Sequence, residues 1–259
     1  MAAPEPPKNP PGGIHISRGV ALRIPAGGLQ ISLDESGEVK VQFKEIHLRL
    51  DTSTEWLEIA MERLADCDAA QTALLAAYAA NEEVGDHIHR VLKASMQAIV
   101  ASATFFEALY AAARDHLPPN RVVRTPDGRP GRSREAYVTE QLKQAFGLKK
   151  KGTTQLRSVL GEIYRFRDET VHPQASFGPP AWHPDLRLLV ERRVAMFSFS
   201  NTKLLVRAAL AYCKILPEVA KKQGPKEIKA LADYLLTSGE PLFQRWEAKY
   251  GPLLDEAAA

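Results

Sequence analysis

Three residue types that suit phosphodiester chemistry stand close together in the stretch from Ile163 to Pro173. Arg167 is followed directly by Asp168, and His172 comes five positions after the arginine. An arginine offers phosphate oxygens a fixed fork of donors and stays charged. A histidine near its unperturbed pKa accepts or donates a proton at neutral pH. The stretch therefore suits RNA cleavage, in which the 2′-hydroxyl loses a proton and the 5′-oxygen leaves protonated, without a metal ion. The alternative is that Arg167 and Asp168 pair with neighbouring residues and His172 only caps the end of a helix.

The predicted position of His172 is the C-terminal end of a helix. There the helix dipole favours a protonated imidazole, and Pro173 moves His172 out of helical geometry. One histidine cannot be both the base and the acid in a single step. A two-fold dimer that brings two copies of the stretch together would supply both, and the long apolar helices predicted around it offer a dimer surface.

Charge is distributed unevenly around this stretch, although the net charge is only +3. From Arg114 to Arg167, thirteen Lys or Arg stand against five Asp or Glu, whereas from Asp51 to Ala113 three stand against ten. This asymmetry predicts a localised anion-binding face. The alternative is that residues 121–134 form a solvated loop whose charges only keep it soluble. The expected RNA contacts are Arg165, Lys149, Lys150 and Lys151.

The N-terminal part of the chain differs from the rest. Residues 1–13 hold five prolines and two glycines and are expected to be a disordered or extended tail. Residues 14–50 alternate apolar and polar positions, with a hairpin turn at residues 35–37. They predict a small antiparallel β unit of three or four strands. It is too small to be stable alone, and is expected to pack on the helical body or on a second subunit.

Helical patterns follow from residue 51 onward and predict an all-α body over residues 51–217, with a C-terminal helical extension over 218–259. Pro217 is expected to end the last long helix. The predicted helices begin near Thr52, then span about 69–80, 84–116, 133–146, 153 or 154 into the opening stretch, 184–216, 225–237 and 240–249. The fold class is thus mainly α, a bundle of long antiparallel helices with a small N-terminal β unit.

Several classes of protein are not indicated. Cys67 and Cys213 are too few for a disulfide framework or a zinc site, and are expected to be buried in a reducing cytoplasm. The histidines of Asp86-His87-Ile88-His89 would point about 200° apart on a helix, so no metal is expected. No nucleotide-binding glycine loop is present, and no cofactor is predicted.

Membrane association is not predicted either. The N-terminus lacks a secretory signal, and the apolar segment at 93–113 is interrupted by polar residues, which predicts a buried helix. The expected location is the cytoplasm. Trp182 follows a proline pair and is expected to pack in the fold, with a place in a pocket wall as the alternative.

The opening stretch resembles the Arg-x(4–6)-His signature of the HEPN superfamily of helical-bundle ribonucleases. Arg167-Asp168-Glu-Thr-Val-His172 matches that spacing and has the usual polar residue directly after the arginine. An upstream segment, Ser102 to Tyr110 with Glu107 in it, resembles a helix of several uncharacterised HEPN groups. The order of helices is similar too, and the resemblance covers about residues 84–217.

The resemblance implies a HEPN-like helical bundle that acts as a homodimer with a composite active site. It implies metal-independent endoribonuclease activity on an RNA substrate, with 2′,3′-cyclic phosphate and 5′-hydroxyl products. Arg167 and His172 would be catalytic, Asp168 would orient or polarise them, and Glu107 would support them. Family members serve as toxins, antiviral effectors or RNA-processing factors, which also implies a regulatory or antitoxin partner. Other HEPN-like proteins lack activity, so a non-catalytic dimeric module that binds nucleic acid or protein is the alternative.

Overall fold

The computed structural model describes residues 14–15, 20–123, 133–171 and 179–254. The predicted tail at 1–13 lies outside these residues, as does most of the predicted basic loop, at 124–132. The chain divides into two compact units, residues 1–52 and 53–259. The described part is mainly helical, so the predicted mainly-α class is confirmed.

The N-terminal unit consists of short antiparallel strands in two sheets. The strands are β1 (Ile14–His15), β2 (Val20–Arg23), β3 (Leu29–Leu33), β4 (Val39–Phe43) and β5 (His47–Leu50). The first sheet has the order β1-β2-β5, and β3 pairs with β4 in a separate hairpin. The turn is where the sequence predicts it: Asp34 Oδ1 accepts from the backbone of Ser36 and Glu38, and Gly37 takes a positive φ of 83°.

The β3–β4 hairpin is amphipathic. Its register pairs Leu29 with Phe43, Ile31 with Val41 and Leu33 with Val39, so that one face is wholly apolar. All six of these side chains are exposed. The period-two pattern therefore predicted the strands and their register, while the apolar face stays in contact with solvent.

The second unit is a bundle of long helices. They are α1 (Ser53–Ala79), α2 (Gly85–His116), α3 (Arg134–Phe146), α4 (Lys150–Val171), α6 (Phe199–Gln223) and α7 (Lys229–Tyr250). A short hairpin, β6 (Ala181–His183) and β7 (Leu188–Val190), and a short helix, α5 (Arg192–Met196), stand between α4 and α6. Single 3₁₀ turns occur at Pro119–Arg121 and Lys226–Ile228.

α2 lies at the centre of this bundle and packs against α1, α3, α4, α6 and α7. Its Phe105, Phe106 and Leu109 are fully buried. Among the described helices α2 is the only one long and apolar enough to cross a membrane, with a mean hydropathy of 1.3 over its most apolar window. Within the fold 56% of that window is buried, which is typical of the core helix of a soluble protein.

The predicted helix over residues 184–216 is wrong in its first part. His183 Nδ1 accepts the backbone N–H groups of Asp185 (3.2 Å) and Leu186 (3.1 Å), which closes the turn of the β6–β7 hairpin. Pro184 and Asp185 are turn residues as readily as helix starters, and here they form the turn. The long helix α6 begins only at Phe199. Ser198 is its N-cap residue, because its Oγ accepts from the backbone N–H of Asn201.

Helix breaks predicted at Pro217 and at residues 238–239 are also wrong. α6 passes through Pro217, because buried residues continue on the same face before and after it and their packing outweighs the cost of one proline. α7 passes through Gly239, where an added Cβ would lie 2.6 Å from the ring of Phe243. Gly239 therefore makes room for a buried ring. In the same way, the two helices predicted between 52 and 80 are the single helix α1.

Candidate functional site

Arg167 lies on α4 above a buried tyrosine. Tyr164 precedes it by three residues on the same helix face, and the Arg167 guanidinium carbon lies 4.6 Å from the centre of the Tyr164 ring. Tyr164 is only 3% exposed, whereas the Arg167 side chain is 27% exposed. A cation over an aromatic face is held by the ring quadrupole. Arg167 therefore has a fixed base of support and an outer side that solvent reaches.

Asp168 holds one edge of the Arg167 guanidinium. Its Oδ1 accepts from Arg167 Nε at 2.9 Å and from Nη2 at 2.6 Å. Within the described ranges, no hydrogen bond involves Arg167 Nη1, which lies at ion-pair distance, 4.0 Å, from Glu107 Oε1. The guanidinium is thus oriented by Asp168 on one edge, and its Nη1 donors are not used in a hydrogen bond to a described residue.

Glu107 on α2 is the acceptor that joins three helices. Its Oε1 accepts from the Tyr164 hydroxyl at 2.9 Å and from Arg134 Nε at 2.9 Å, and its Oε2 accepts from Arg134 Nη2. Arg134 comes from α3, while Tyr164 and Arg167 come from α4. The carboxylate therefore fixes the positions of α2, α3 and α4 relative to one another at the level of Arg167.

The charges around Glu107 decide its protonation state. Burial alone would raise the pKa of Glu107, but the hydrogen bonds from Arg134 and Tyr164 and the positive charges of Arg134 and Arg167 outweigh it, so the pKa is lowered. Burial, together with the neighbouring Glu107 charge, raises the pKa of the Tyr164 hydroxyl well above its usual range. At neutral pH the pair is an ionised acceptor and a neutral donor.

From the sequence, no role was assigned to Tyr164 or Arg134, which both donate hydrogen bonds to Glu107, nor to Tyr110, which lies beneath Arg134. The Arg134 guanidinium carbon lies 4.6 Å from the centre of the Tyr110 ring, and the Arg114 guanidinium lies 5.5 Å from the same ring. In the sequence, Tyr110 stands out only as the last residue of the segment that contains Glu107. The spacing of Tyr164 three residues before Arg167 was an available signal. Arg134 had none, because only the packing of α3 on α2 brings it to Glu107.

The other predicted RNA contacts lie elsewhere. Lys149, Lys150 and Lys151 are exposed at the start of α4, about 25 Å along the helix from Arg167 at 1.5 Å per residue. Arg165 points to a different face of α4, about 200° around the axis from Arg167. The structure therefore brings Glu107, Asp168 and Arg167 together but separates them from the lysines and from Arg165.

His172 follows the last described residue of α4, Val171, and lies outside the described residues. The same holds for Pro173. In the ranges that are described, no group of three or more His, Cys, Asp or Glu side chains lies close enough to hold a metal ion. Cys67 and Cys213 are buried thiols that are not joined in a disulfide.

An apolar groove runs between α1 and α2 near the C-terminal end of α4. It has a volume of about 830 Å³, and Thr170, two residues before His172, forms part of its wall. Its floor is apolar, with Trp56, Leu92 and Met96 among its residues, and its rim carries both acidic and basic groups, Glu62, Arg63 and Lys93.

No family model, curated protein or solved structure matches this chain.

Proposed function

We propose that this protein is a metal-independent endoribonuclease of the HEPN type that acts as a homodimer. The observation that supports the proposal most strongly is the setting of Arg167. Its guanidinium rests on a buried ring, one edge is held by Asp168, and the Nη1 donors have no described hydrogen-bond partner. Such a preoriented, partly exposed fork suits the equatorial oxygens of a phosphodiester at the transition state.

In the proposed reaction the 2′-oxygen of the substrate attacks the adjacent phosphorus. One His172 takes the proton from the 2′-hydroxyl, and a second His172 gives a proton to the 5′-oxygen as the P–O5′ bond breaks. Arg167 binds the non-bridging oxygens, on which charge develops. The products are a 2′,3′-cyclic phosphate and a free 5′-hydroxyl. Solvent then restores the starting protonation of the two histidines, so that no co-reactant is consumed.

A second copy is needed because each chain brings only one His172. The groove between α1 and α2 is the surface that we assign to that copy, since Thr170 in its wall is two residues from His172 in sequence. Its floor is apolar, and its rim mixes Glu62 with Arg63 and Lys93. A two-fold interface places the same patch on both partners, so a rim with both signs of charge can complement itself.

The proposal is tested by cleavage of a single-stranded RNA in EDTA. Arg167→Ala should lower the rate by about a hundredfold or more, the usual cost of one lost transition-state donor. Arg167→Lys should recover only part of this, because lysine keeps the charge but loses the fork. Arg157→Ala, an exposed arginine on the same helix, is the matched control and should cleave normally. Wild-type rates for Arg167→Ala would exclude the proposed site.

One observation favours a non-catalytic module instead. Glu107 is held more closely by Arg134 than by Arg167, and the cluster joins three helices, so the network could serve stability alone. A module of this kind would bind RNA or a protein partner without cutting. It predicts salt-sensitive RNA binding that persists in Arg167→Ala, with no cleavage by the wild type.

Toxin or antiviral-effector activity in the cytoplasm is the physiological role that we propose for the nuclease, because RNA cleavage stops cell growth directly. Expression in a bacterial host should slow growth, and His172→Ala should relieve the effect. Equal toxicity of the two proteins would separate growth inhibition from the proposed chemistry.

A further inference from the structure

A second concave site lies against the face of α4 that carries Arg165 and Phe166. It is a pocket of about 410 Å³ formed by α4, β6, α5 and α6, within the size range of small-molecule sites. Its wall combines flat apolar groups with charged and amide groups: Arg165, Phe166, Trp182, Arg192, Asn201 and Leu204. The Glu107 cluster does not include any of these residues.

Trp182 is exposed although it belongs to a well-anchored hairpin. Its side chain is 59% exposed, whereas its neighbour His183 is 1% exposed, as expected for alternate residues of a strand. His183 Nδ1 fixes the hairpin turn, and Asp185 accepts from the hydroxyl of Ser200 at the start of α6. The indole ring is therefore presented to solvent by a rigid support, and the expectation that Trp182 packs in the core is wrong.

Two arginines border the same pocket. Arg165 lies over the ring of Phe166 at 4.8 Å, and its Nη2 donates to Glu162 at 2.6 Å. Arg192 donates through Nη2 to Glu169. Both ion pairs are partly exposed and therefore weak. Each guanidinium has five N–H donors, and most of them are not used by these bonds.

Asn201 adds a fixed amide to the wall. Its Nδ2 donates to the backbone oxygens of Ala195 (3.1 Å) and Met196 (3.2 Å) at the end of α5. This fixes the orientation of the side chain, and no described residue donates to its Oδ1. A ring N–H or exocyclic amine of a ligand could therefore be accepted there.

We propose that this pocket binds one unstacked base of single-stranded RNA, with the adjacent phosphate held by Arg165 and Arg192. An exposed indole suits any nucleobase, because every base has a π face, and arginine forks suit phosphate. The inference rests on the proposed function in taking RNA as the ligand. Since the pocket and Arg167 lie on different faces of α4, the bound base belongs to a nucleotide that flanks the cut site.

The pocket explains why Arg165 is separated from the other proposed contacts. Arg165 was predicted to bind RNA together with Arg167, yet the two point about 200° apart. Because the two residues lie on nearly opposite sides of α4, a strand that contacts both meets them at nucleotides that are not adjacent. Arg165 then positions the substrate, while Arg167 binds the reacting phosphate.

The test uses the full-length protein and a non-cleavable probe, a fluorescent 2′-O-methyl RNA 12-mer of mixed sequence, with binding measured by anisotropy. Trp182→Ala should weaken binding by about tenfold, within the range found for loss of one stacked base. Trp182→Phe should bind within about threefold of wild type, because the ring is retained. Leu189→Ala, which removes the exposed cross-strand neighbour of Trp182, is the matched control and should bind normally.

A second readout reports stacking directly. The wild type contains three tryptophans, of which Trp246 is 1% exposed and Trp182 is 59% exposed. Probe binding should quench the tryptophan emission of the wild type, and this quenching should be largely lost in Trp182→Phe. Unchanged affinity of Trp182→Ala, or equal losses in Trp182→Ala and Leu189→Ala, would overturn the proposal.

The outcomes also separate this inference from the nuclease proposal. If the protein binds the probe through Trp182 but cuts no RNA, the base-binding pocket is supported and the nuclease proposal is refuted. If the wild type cuts RNA and Trp182→Ala binds and cuts normally, the nuclease proposal is supported and the base-binding pocket is refuted. Saturable binding of a peptide, together with no binding of the RNA probe, would assign the pocket to a protein partner and overturn the inference.

Discussion

Replacing Tyr164 with Phe removes one oxygen atom from the Glu107 cluster and leaves the ring beneath Arg167 in place. The lost atom donates to Glu107 Oε1 at 2.9 Å. Because the aromatic face is retained, the contact with the Arg167 guanidinium at 4.6 Å should persist. The substitution therefore separates the support of Glu107 from the support of Arg167.

The size of the effect follows from the contacts of Glu107. A hydrogen bond to a charged group contributes about 1.5–3 kcal/mol to the free energy of unfolding. Glu107 keeps its bonds from Arg134 and is 27% exposed, so we expect a value at or just below the low end of that range, about 1–2 kcal/mol. Tyr212→Phe is the matched control, since no described residue hydrogen-bonds the Tyr212 hydroxyl, and it should change stability by less than about 0.5 kcal/mol.

The assay is urea unfolding of the wild type, Tyr164→Phe, Glu107→Ala and the double variant, followed by the helical circular dichroism signal. If Tyr164 acts through Glu107, the two substitutions should be non-additive by about 1 kcal/mol. Additive effects would refute the assignment of Glu107 as the acceptor that matters. RNA cleavage by Tyr164→Phe should stay within about threefold of wild type, because the ring still supports Arg167.

Three further predictions concern protonation, assembly and thiol reactivity. Because the folded-state pKa of Glu107 lies below its ordinary value of 4.5, the stability advantage of wild type over Glu107→Gln should be full above about pH 4.5 and shrink as the pH falls through the lowered pKa; an advantage that grows in acid would contradict this. Met96→Arg in the groove should give a monomer, as measured by light scattering. RNA cleavage should fall by about a hundredfold, as expected when the acid or the base of a reaction is lost. A fully active dimer would show that the second copy binds to another surface. Burial raises the pKa of the Cys67 thiol to about 11, and Cys213 is also buried, so a thiol reagent at pH 8 should label neither cysteine until urea unfolds the chain, and rapid labelling of the native protein would show that the core opens.

The sequence predicted those features of the candidate site that lie within a single helix. Arg167 and Asp168 are neighbours in the chain, and the helical pattern around them was clear. Glu107 was placed by resemblance alone, and the structure brings it to 4.0 Å from Arg167. Arg134 could not be predicted, because its contact with Glu107 depends on the angle at which α3 packs on α2.

Two of the wrong predictions about the fold, at Pro217 and Gly239, have a common physical origin. Pro217 and Gly239 are breaking residues by local preference, yet both lie inside helices whose buried faces continue past them. Tertiary packing outweighs a local cost of about 1–3 kcal/mol per residue. At Pro184 the opposite occurred, since the apolar residues that follow suggested a helix while the buried His183 closes a hairpin turn.

The most direct test of the proposed function is the cleavage of single-stranded RNA by wild type and by His172→Ala, in EDTA, with analysis of the product ends. His47→Ala, at an exposed histidine of the N-terminal unit, is the matched control. We expect 2′,3′-cyclic phosphate ends from the wild type and from His47→Ala. We also expect His172→Ala to lose about a hundredfold or more in cleavage rate, with unchanged circular dichroism. Cleavage by His172→Ala at the wild-type rate, or products with 3′-hydroxyl ends, would refute the proposed composite site.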